Sequence, residues 1–221
     1  MDDMAKDLPL SNRPRRDETA VTANFTTHRG TVLLEIAGML DELSPEEWNA
    51  PALRAGWSVR DVVGELVWLA GSSSRQRAAT VARRAFSDRS GLAAASDALV
   101  REHTDRTPAN LVEAVRSLAV DDLASRSWHR VSALAPAVVA AFELAAATGR
   151  PTVVDPIASG AVALARSLSA PMPMRAVVTA RTLVAADADW RVGRGPELEG
   201  TAAGIVLFLY GRASLTPSGN R

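Results

Sequence analysis

The stretch that decides the fold is Ala55–Gly64, AGWSVRDVVG, which leads from a loop into a long helix. Ser58 is a natural N-cap, and Asp61 stands three residues later, where an acidic side chain completes a capping box. Apolar residues then recur at helical spacing at Val62, Val63, Leu66, Val67 and Ala70. The pattern predicts a helix that turns one face toward a core.

The same periodicity predicts helices on both sides of this stretch. Ser44 and Pro45 mark the start of one short helical turn, and Asp155 and Pro156 mark the start of a later helix. The longer helical patterns cover residues 18–43, about 92–103, about 108–123, 132–147 and 156–168. Two of these helices consist almost entirely of Ala, Val and Leu, which suits close packing in a bundle.

The run Ala170–Pro173 marks a boundary, after which the pattern changes. Residues 176–179 and 188–192 have strand character, residues 197–199 predict a short strand, and residues 200–210 predict a helix. The predicted fold class is mainly α, a helical bundle with a small C-terminal α+β subdomain. The predicted division is a leader (1–17), the bundle (18–169), the subdomain (174–213) and a tail (214–221).

Composition narrows the class of protein. The chain has 221 residues, 47% of them hydrophobic and 23% charged, which is typical of a soluble globular protein. The formal net charge is zero and there is no cysteine, so we expect no nucleic-acid partner, disulfide or thiolate metal site. The N-terminus has no apolar signal segment, and the apolar stretch Ile205–Tyr210 is too short to cross a bilayer. We therefore expect a cytoplasmic protein with no membrane partner.

Two motifs resemble a known family. The run Leu43–Trp48, a proline at position 51 and the run Ala55–Gly64 are similar to the signature of mycothiol-dependent maleylpyruvate isomerase-like, DinB-like proteins. The C-terminal residues Asp189–Val192, Gly200–Ala203 and Leu209–Arg212 resemble that family's C-terminal domain, which ends helix-glycine-arginine. The two matches lie at opposite ends of the chain, between about residue 20 and residue 213.

The resemblance implies a DinB-like four-helix bundle whose typical members bind a divalent metal, usually zinc, and often use mycothiol. Their metal ligands are a histidine in the motif helix and a glutamate-x-x-x-histidine pair on a later helix. Here those positions align with Glu65, Pro136 and Ala140. A catalytic zinc site needs about three protein ligands, so one carboxylate cannot hold the ion. We predict a diverged member with no metal ligands and no cofactor.

The remaining candidate residues follow from helix geometry. At 100° per residue, Glu65 borders the apolar face of its helix, with Asp61 and Trp68 on the same side. Glu65 is a candidate acid-base residue if burial raises its pKa, and Asp61 and Trp68 are candidate ligand-binding residues. An exposed helix glutamate is the simpler interpretation of Glu65.

Of the three histidines, His129 is the second catalytic candidate, because Trp128 and Arg130 flank it just before an apolar helix. His28 is expected at the surface, and His103 is expected to cap a helix C-terminus. A rebuilt site of Glu65, His129 and Glu143 is conceivable, although no two of them have ligand spacing on one helix.

Three functions fit these observations. The leading one is a metal-free, diverged family member that binds a small molecule in the bundle cavity. The first alternative is a metal-independent or rebuilt-site isomerase, transferase or cyclase of a specialised actinobacterial pathway. The second is a non-catalytic interaction or regulatory protein, with a homodimer as one form. A binder or enzyme predicts a pocket lined by Glu65, Trp68 and His129, whereas a scaffold predicts a filled core and a large apolar surface patch.

Overall fold

The computed structural model describes residues 24–89, 91–124 and 128–215. The predicted leader 1–17 and most of the predicted tail lie outside these ranges. In chain order the elements are α1 Thr26–Asp41, α2 Pro45–Trp48, α3 Val59–Ala70, α4 Ser74–Ser87, α5 Leu92–Thr104, α6 Pro108–Ala124, α7 Val131–Thr148, α8 Pro156–Ser169, α9 Met172–Ala180, β1 Thr182–Ala185, β2 Arg191–Gly193, β3 Glu197–Gly200 and α10 Ala202–Leu209.

Four of the helices form the bundle that the sequence predicts. Helix α1 packs against α6 and α7, and α3 packs against α6 and α7, which closes a four-membered ring around the core. The core consists of aliphatic side chains that are almost completely buried, among them Leu33, Leu66, Leu111 and Leu144. Burial of these apolar surfaces is the main force that holds the four helices together.

The predicted helix starts are confirmed by their hydrogen bonds. The Ser44 side chain accepts from the backbone of Glu47, whose carboxylate accepts from the Ser44 N–H, and Ser58 and Asp61 form the same box at the start of α3. Asp155 caps α8 by accepting from the Ile157 N–H. Each box satisfies backbone donors that a helix N-terminus otherwise leaves unpaired.

Helices α4 and α5 lie outside the ring, with α5 packed on α3 and α4 packed on α5. The sequence pattern predicted α5 but gave no prediction for α4, because that segment is rich in arginine and has few large apolar residues. Gly64 permits the close approach of α5 to α3. A Cβ at position 64 would lie 2.5 Å from Oγ1 and 3.0 Å from the backbone nitrogen of Thr104.

The prediction of a strand at residues 176–179 is wrong, because these residues belong to helix α9. Pro173 occupies the first turn of α9, where a proline needs no N–H partner, and the β-branched residues that follow are accommodated in the helix. The strand forms immediately afterwards, as β1. The predicted strand at 188–192 is reduced to Arg191–Gly193, while the short strand at 197–199 is confirmed as part of Glu197–Gly200.

The sheet has the order β2-β1-β3, with β1 antiparallel to β2 and parallel to β3. Leu183 of β1 pairs with Val192 of β2 and Leu198 of β3. The buried side chains of this segment, including Leu183 and Ile205, belong to the same hydrophobic cluster as the bundle core. Helix α10 packs on α8 and α7, which brings the C-terminal end of the chain to the bundle.

Helix α7 is long and apolar enough to cross a membrane by length and composition alone, with a mean hydropathy of 1.7 over 18 residues. In the fold, 56% of these residues are buried inside the protein. The helix packs against α1, α3, α8 and α10. Its apolar composition is therefore that of a core helix, which passes the same test.

Candidate functional site

A cavity of about 230 Å³ lies between α3, α7 and the residues that follow α10. Most of its wall is apolar, and the polar groups are concentrated at Glu65, Glu143, Tyr210, Arg212 and Ser132. The full lining comprises Val62, Glu65, Leu66, Leu69, Ser132, Ala135, Pro136, Val139, Ala140, Glu143, Tyr210 and Arg212. A mainly apolar cavity with a few convergent polar groups is the usual form of a small-molecule site.

Two arginines and two glutamates form one ion-pair network at this cavity, which we call the Arg-Glu network: Arg54, Glu65, Glu143 and Arg212. Arg54 binds both oxygens of Glu65, with Nη1 to Oε1 at 3.0 Å and Nη2 to Oε2 at 2.5 Å. Its Nε also donates to Oε1 of Glu143 at 3.2 Å. Arg212 donates from Nη2 to Oε2 of Glu65 at 3.2 Å, and its Nε lies 3.6 Å from Oε2 of Glu143.

Burial makes this network energetically important. The Glu143 side chain is 1% exposed, and those of Arg54, Arg212 and Glu65 are between 14% and 21% exposed. A carboxylate this deeply buried requires opposite charge and hydrogen bonds, because burial removes its hydration by water. The network supplies two guanidinium groups for two carboxylates, so its formal charges balance.

Local backbone structure places both arginines. Arg54 lies in the loop before α3, and its guanidinium stacks on the Trp57 ring at 3.3 Å from the ring centre. Gly56, with φ of 76°, makes the tight turn between them. Arg212 follows Gly211, whose φ of 68° ends α10 in the left-handed conformation that glycine adopts without strain.

Tyr210 contributes the phenol group of the cavity wall. Burial raises the pKa of this phenol, and the nearby guanidinium of Arg166 opposes the shift. The Arg166 guanidinium lies 4.8 Å from the centre of the Tyr210 ring and donates from Nε to the Leu209 carbonyl at 3.0 Å. The phenol is therefore protonated at neutral pH and can donate a hydrogen bond.

Pro136 lies inside α7 and also lines the cavity. Because proline has no N–H, the carbonyl of Ser132 cannot receive its usual helical hydrogen bond from residue 136. Ser132 lines the same wall.

The positions that align with the family's metal ligands, Glu65, Pro136 and Ala140, all line this one cavity. The residues present do not fit a metal ion. The side chains of Pro136 and Ala140 have no metal-ligating atoms, and both Glu65 and Glu143 already pair with arginines. Within residues 24–89, 91–124 and 128–215, no group of three or more His, Asp or Glu side chains is arranged to hold a metal ion.

The structure brings only one of the four sequence-predicted site residues to the cavity. Glu65 lines it, which makes it a partly buried residue in place of an exposed helix glutamate. Asp61 is engaged in the cap of α3, where its Oδ2 accepts from the backbone and hydroxyl of Ser58. Trp68 points away from the cavity and packs with Leu99 and with His103, at 5.4 Å between ring centres.

His129 lies in a different pocket from Glu65. Its Nε2 lies 3.0 Å from Nη1 of Arg29 and 3.2 Å from Oδ1 of Asp122. The rebuilt site of Glu65, His129 and Glu143 therefore does not assemble, because the described contacts of His129 involve neither carboxylate. His103 lies in the last turn of α5, as expected, and its Nδ1 contacts the Leu99 carbonyl at 2.9 Å. His28 is half-buried beside Phe25, whereas the sequence predicted a surface position.

Sequence reasoning missed Arg54, Arg212 and Tyr210 as site residues. The last two belong to the motif Leu209–Arg212 that carries the C-terminal resemblance, so their position in that motif was an available signal. Arg54 has only one comparable signal, its place just before the motif Ala55–Gly64. No periodicity could have shown that residues 54 and 212 meet at the same carboxylate.

The fold and cavity define a DinB-like helical bundle with a C-terminal α+β segment closing one side. Residues 31–138 match the family model of the mycothiol maleylpyruvate isomerase N-terminal domain, which supports the assignment of the chain to this family. A crystal structure of the mycothiol-dependent maleylpyruvate isomerase matches with a TM-score of 0.52 and 13% identity, covering 85% of this chain and 88% of that one. This likeness confirms the predicted fold class.

A second crystal structure, of a histidine-to-alanine mutant of the mycothiol-dependent maleylpyruvate isomerase, matches with a TM-score of 0.48 and 14% identity. It covers 85% of this chain and 88% of that one. No curated protein sequence matches the chain significantly.

Proposed function

We propose that this protein binds a small molecule in the bundle cavity without a metal ion, and that the Arg-Glu network occupies the place of the family's metal site. One observation carries the proposal. Glu65, Pro136 and Ala140 converge on a single cavity, and the carboxylates among its described lining residues, Glu65 and Glu143, are already paired with Arg54 and Arg212. A zinc ion would have to compete with two guanidinium groups for Glu65 and Glu143, and it would find no imidazole.

The cavity restricts the size and chemistry of the ligand. Its volume of about 230 Å³ lies below the usual range for drug-sized ligands and corresponds to roughly eight water molecules of liquid. The apolar walls favour a compact apolar body. Tyr210 and Arg212 offer donors and Ser132 offers a polar side chain, so the ligand carries one or two polar groups.

The metal part of the proposal is tested by elemental analysis after incubation with zinc and extensive dialysis. We expect far less than one zinc per chain. The matched variant combines Glu65→His, Pro136→Glu and Ala140→His, which restores the donor types of the family at the aligned positions. We expect this variant to retain zinc. Stoichiometric zinc on the unaltered protein, lost in Glu65→Ala, would refute a metal-free site.

The ligand part is tested by screening compact aromatic and aliphatic acids, alcohols and amines by ligand-observed NMR. Ala140→Phe places a ring in the cavity and is expected to abolish binding. Ala146→Phe, an exposed position on the same helix, is the matched control and is expected to leave binding unchanged. Binding that survives Ala140→Phe, with the fold intact by circular dichroism, would place the ligand elsewhere.

A second candidate function is a metal-independent isomerase, transferase or cyclase of an actinobacterial, cytoplasmic pathway. The supporting observation is that Glu65 and the protonated Tyr210 line the same cavity. Any ligand found in the screen is incubated with the protein and followed by NMR for conversion. An enzyme converts it and loses the rate in Glu65→Gln, whereas a binding protein leaves it unchanged.

The interaction-protein alternative draws support from α8, where Ile157, Leu164 and Leu168 are exposed. These residues recur along one side of the helix, as in helices that pair with another helix. A homodimer through this surface is tested by light scattering of the native protein and of Leu164→Glu. A monomer in both would remove the support that α8 gives to this alternative.

A further inference from the structure

A second concave site, the basic pocket, lies beside the cavity and has no role in the proposed function. Its volume is about 430 Å³, and it is formed where the end of α3, the start of α4 and the start of α7 meet α1. Three arginines and one histidine line it: Arg29, Arg77, Arg130 and His129. No acidic side chain is among the described residues that line it.

Arg29 is held in place in the basic pocket by burial and by two hydrogen bonds. It is 4% exposed, and it donates from Nη1 to Oδ1 of Asp122 at 3.2 Å and from Nη2 to the Ala70 carbonyl at 2.7 Å. Its Nε is buried and has no hydrogen-bond partner in the described part of the chain. A buried guanidinium with an unsatisfied donor retains attraction for an anion, because burial without a partner is unfavourable.

His129 is held against the same arginine. A guanidinium can only donate, so the 3.0 Å contact from Arg29 Nη1 to His129 Nε2 favours the tautomer with its proton on Nδ1. No hydrogen bond from Nδ1 occurs within the described ranges. Asp122 balances the positive charge of Arg29. The charge of Arg130 comes in addition.

The start of α7 strengthens the positive potential. The helix has 18 residues, and its N-cap residue, Arg130, makes no side-chain cap hydrogen bond. Ser132 and Ala133 of its first turn line the basic pocket. The helix dipole makes such an N-terminus attractive to anions, here next to three arginine side chains. Arg130 has no ion pair among the described residues, and it lies over the Trp128 ring at 5.8 Å.

We propose that the basic pocket is an anion-binding site for the phosphate group of a small organic molecule. A tetrahedral oxyanion can accept simultaneously from guanidinium, imidazole and backbone N–H donors, which is the donor set present here. Trp128 is half exposed at the pocket and offers a flat apolar surface for the organic part. The basic pocket shares Leu69 and Ser132 with the cavity, so the two sites are neighbours.

The test uses inorganic phosphate and phenyl phosphate in isothermal titration calorimetry with the full chain at low salt. We expect both to bind, phenyl phosphate more tightly, and both affinities to fall as salt is added. Arg130→Gln and His129→Gln are each expected to weaken binding about tenfold, the effect of one lost charge-assisted hydrogen bond. Arg106→Gln removes an exposed charge of the same kind elsewhere and is expected to have no effect.

Three outcomes would overturn the proposal: no heat with either phosphate at tens of millimolar, binding unchanged in both Arg130→Gln and His129→Gln, or equal weakening in Arg106→Gln. The last outcome would indicate a nonspecific effect of net charge. Trp128→Ala separates the two sources of affinity, because it is expected to reduce binding of phenyl phosphate but not of inorganic phosphate. Ala140→Phe fills the cavity and is expected to leave phosphate binding intact, so this site and the proposed function can fail independently.

Discussion

Arg54 reaches from the loop before α3 into the middle of the bundle, where its Nε lies 3.2 Å from Oε1 of Glu143. Glu143 is 1% exposed, so the loop supplies a charge that the core helix α7 requires. Arg212, at 3.6 Å from the other oxygen, brings the C-terminal end of the chain to the same carboxylate. The Arg-Glu network therefore ties three separate segments together at the cavity.

Removing one partner of this network should destabilise the fold strongly. Arg54→Met keeps an unbranched apolar stem but leaves Glu143 with only the more distant guanidinium of Arg212. We expect the free energy of unfolding to fall by about 3 kcal/mol, as for other buried pairs that lose one partner. Urea denaturation measures the change, and the exposed Arg106→Met is the control for loss of one charge.

The double variant Arg54→Met with Glu143→Gln sharpens this prediction. The loss should be smaller than the sum of the two single losses, because the double variant contains no uncompensated buried charge at position 143. Additive losses would mean that the two residues contribute independently and that the ion pair does not stabilise Glu143.

Local signals in the sequence predicted most of the helices and the place of Glu65 on its helix. The caps at Ser44, Ser58 and Asp155 depend only on neighbouring residues, so the sequence contains the whole signal. Glu65 follows from Ser58 by helix geometry, which fixed its place at the edge of the apolar face. The strand prediction at 176–179 failed because β-branched composition is a weak preference that tertiary context overrides.

Contacts between distant segments could not be predicted. Trp68 is three residues from Glu65, but α5 approaches this side of α3 because Gly64 has no side chain, and Trp68 packs into that interface. His129 is three residues before Ser132, which lines the cavity. The contacts of His129, however, are with Arg29 of α1 and Asp122 of α6. Both outcomes depend on helix packing, which no single stretch of sequence specifies.

The close packing of α3 on α5 gives a second prediction. In Gly64→Ala the new Cβ would lie 2.5 Å from Oγ1 of Thr104 and 3.0 Å from its backbone nitrogen, so the helices must separate. We expect a loss of about 2 kcal/mol in the free energy of unfolding, typical of overpacking. Gly38→Ala is the matched control. It lies in α1 with no atom within 4 Å of the added Cβ, and it should stabilise the protein by about 0.5 kcal/mol.

A third prediction concerns the contact between α8 and the sheet segment. Trp190 donates from Nε1 to Oγ of Ser159 at 3.0 Å, and Ser159 is buried. Ser159→Ala leaves the indole donor without this partner, and we expect a loss of about 1 kcal/mol. Trp190→Ala should lower the free energy of unfolding further, because it also removes the packing of the ring against Gly160. A Cβ placed on Gly160 would lie only 3.0 Å from ring atoms of Trp190.

The indole N–H resonance of Trp190, assigned by comparison with Trp190→Phe, provides an independent readout. It should shift upfield in Ser159→Ala, because the hydrogen bond is lost. An unchanged resonance would show that Trp190 does not donate to Ser159 in solution.

The fourth prediction is a pH dependence centred on Asp122. Burial raises the pKa of this carboxyl, and Arg29 and His129 oppose the shift through their charges. The folded-state pKa therefore lies above the ordinary value of 3.8. At pH values between these two pKa values, the folded protein binds more protons than the unfolded chain. The contribution of Asp122 to the free energy of unfolding is therefore fully present below pH 3.8, and it is lost as the pH rises through the folded-state pKa.

Asp122→Asn should remove this dependence. The difference in free energy of unfolding between the native protein and Asp122→Asn should change with pH across the acid range, with the native protein losing stability relative to the variant as pH rises. Urea denaturation at a series of pH values measures the difference. Asp189→Asn, at an exposed carboxylate without a described partner, is the control for the loss of one carboxylate. Parallel curves for Asp122→Asn and the native protein would mean that Arg29 and His129 fully compensate the burial of Asp122, since the carboxyl would then titrate alike in the folded and unfolded states.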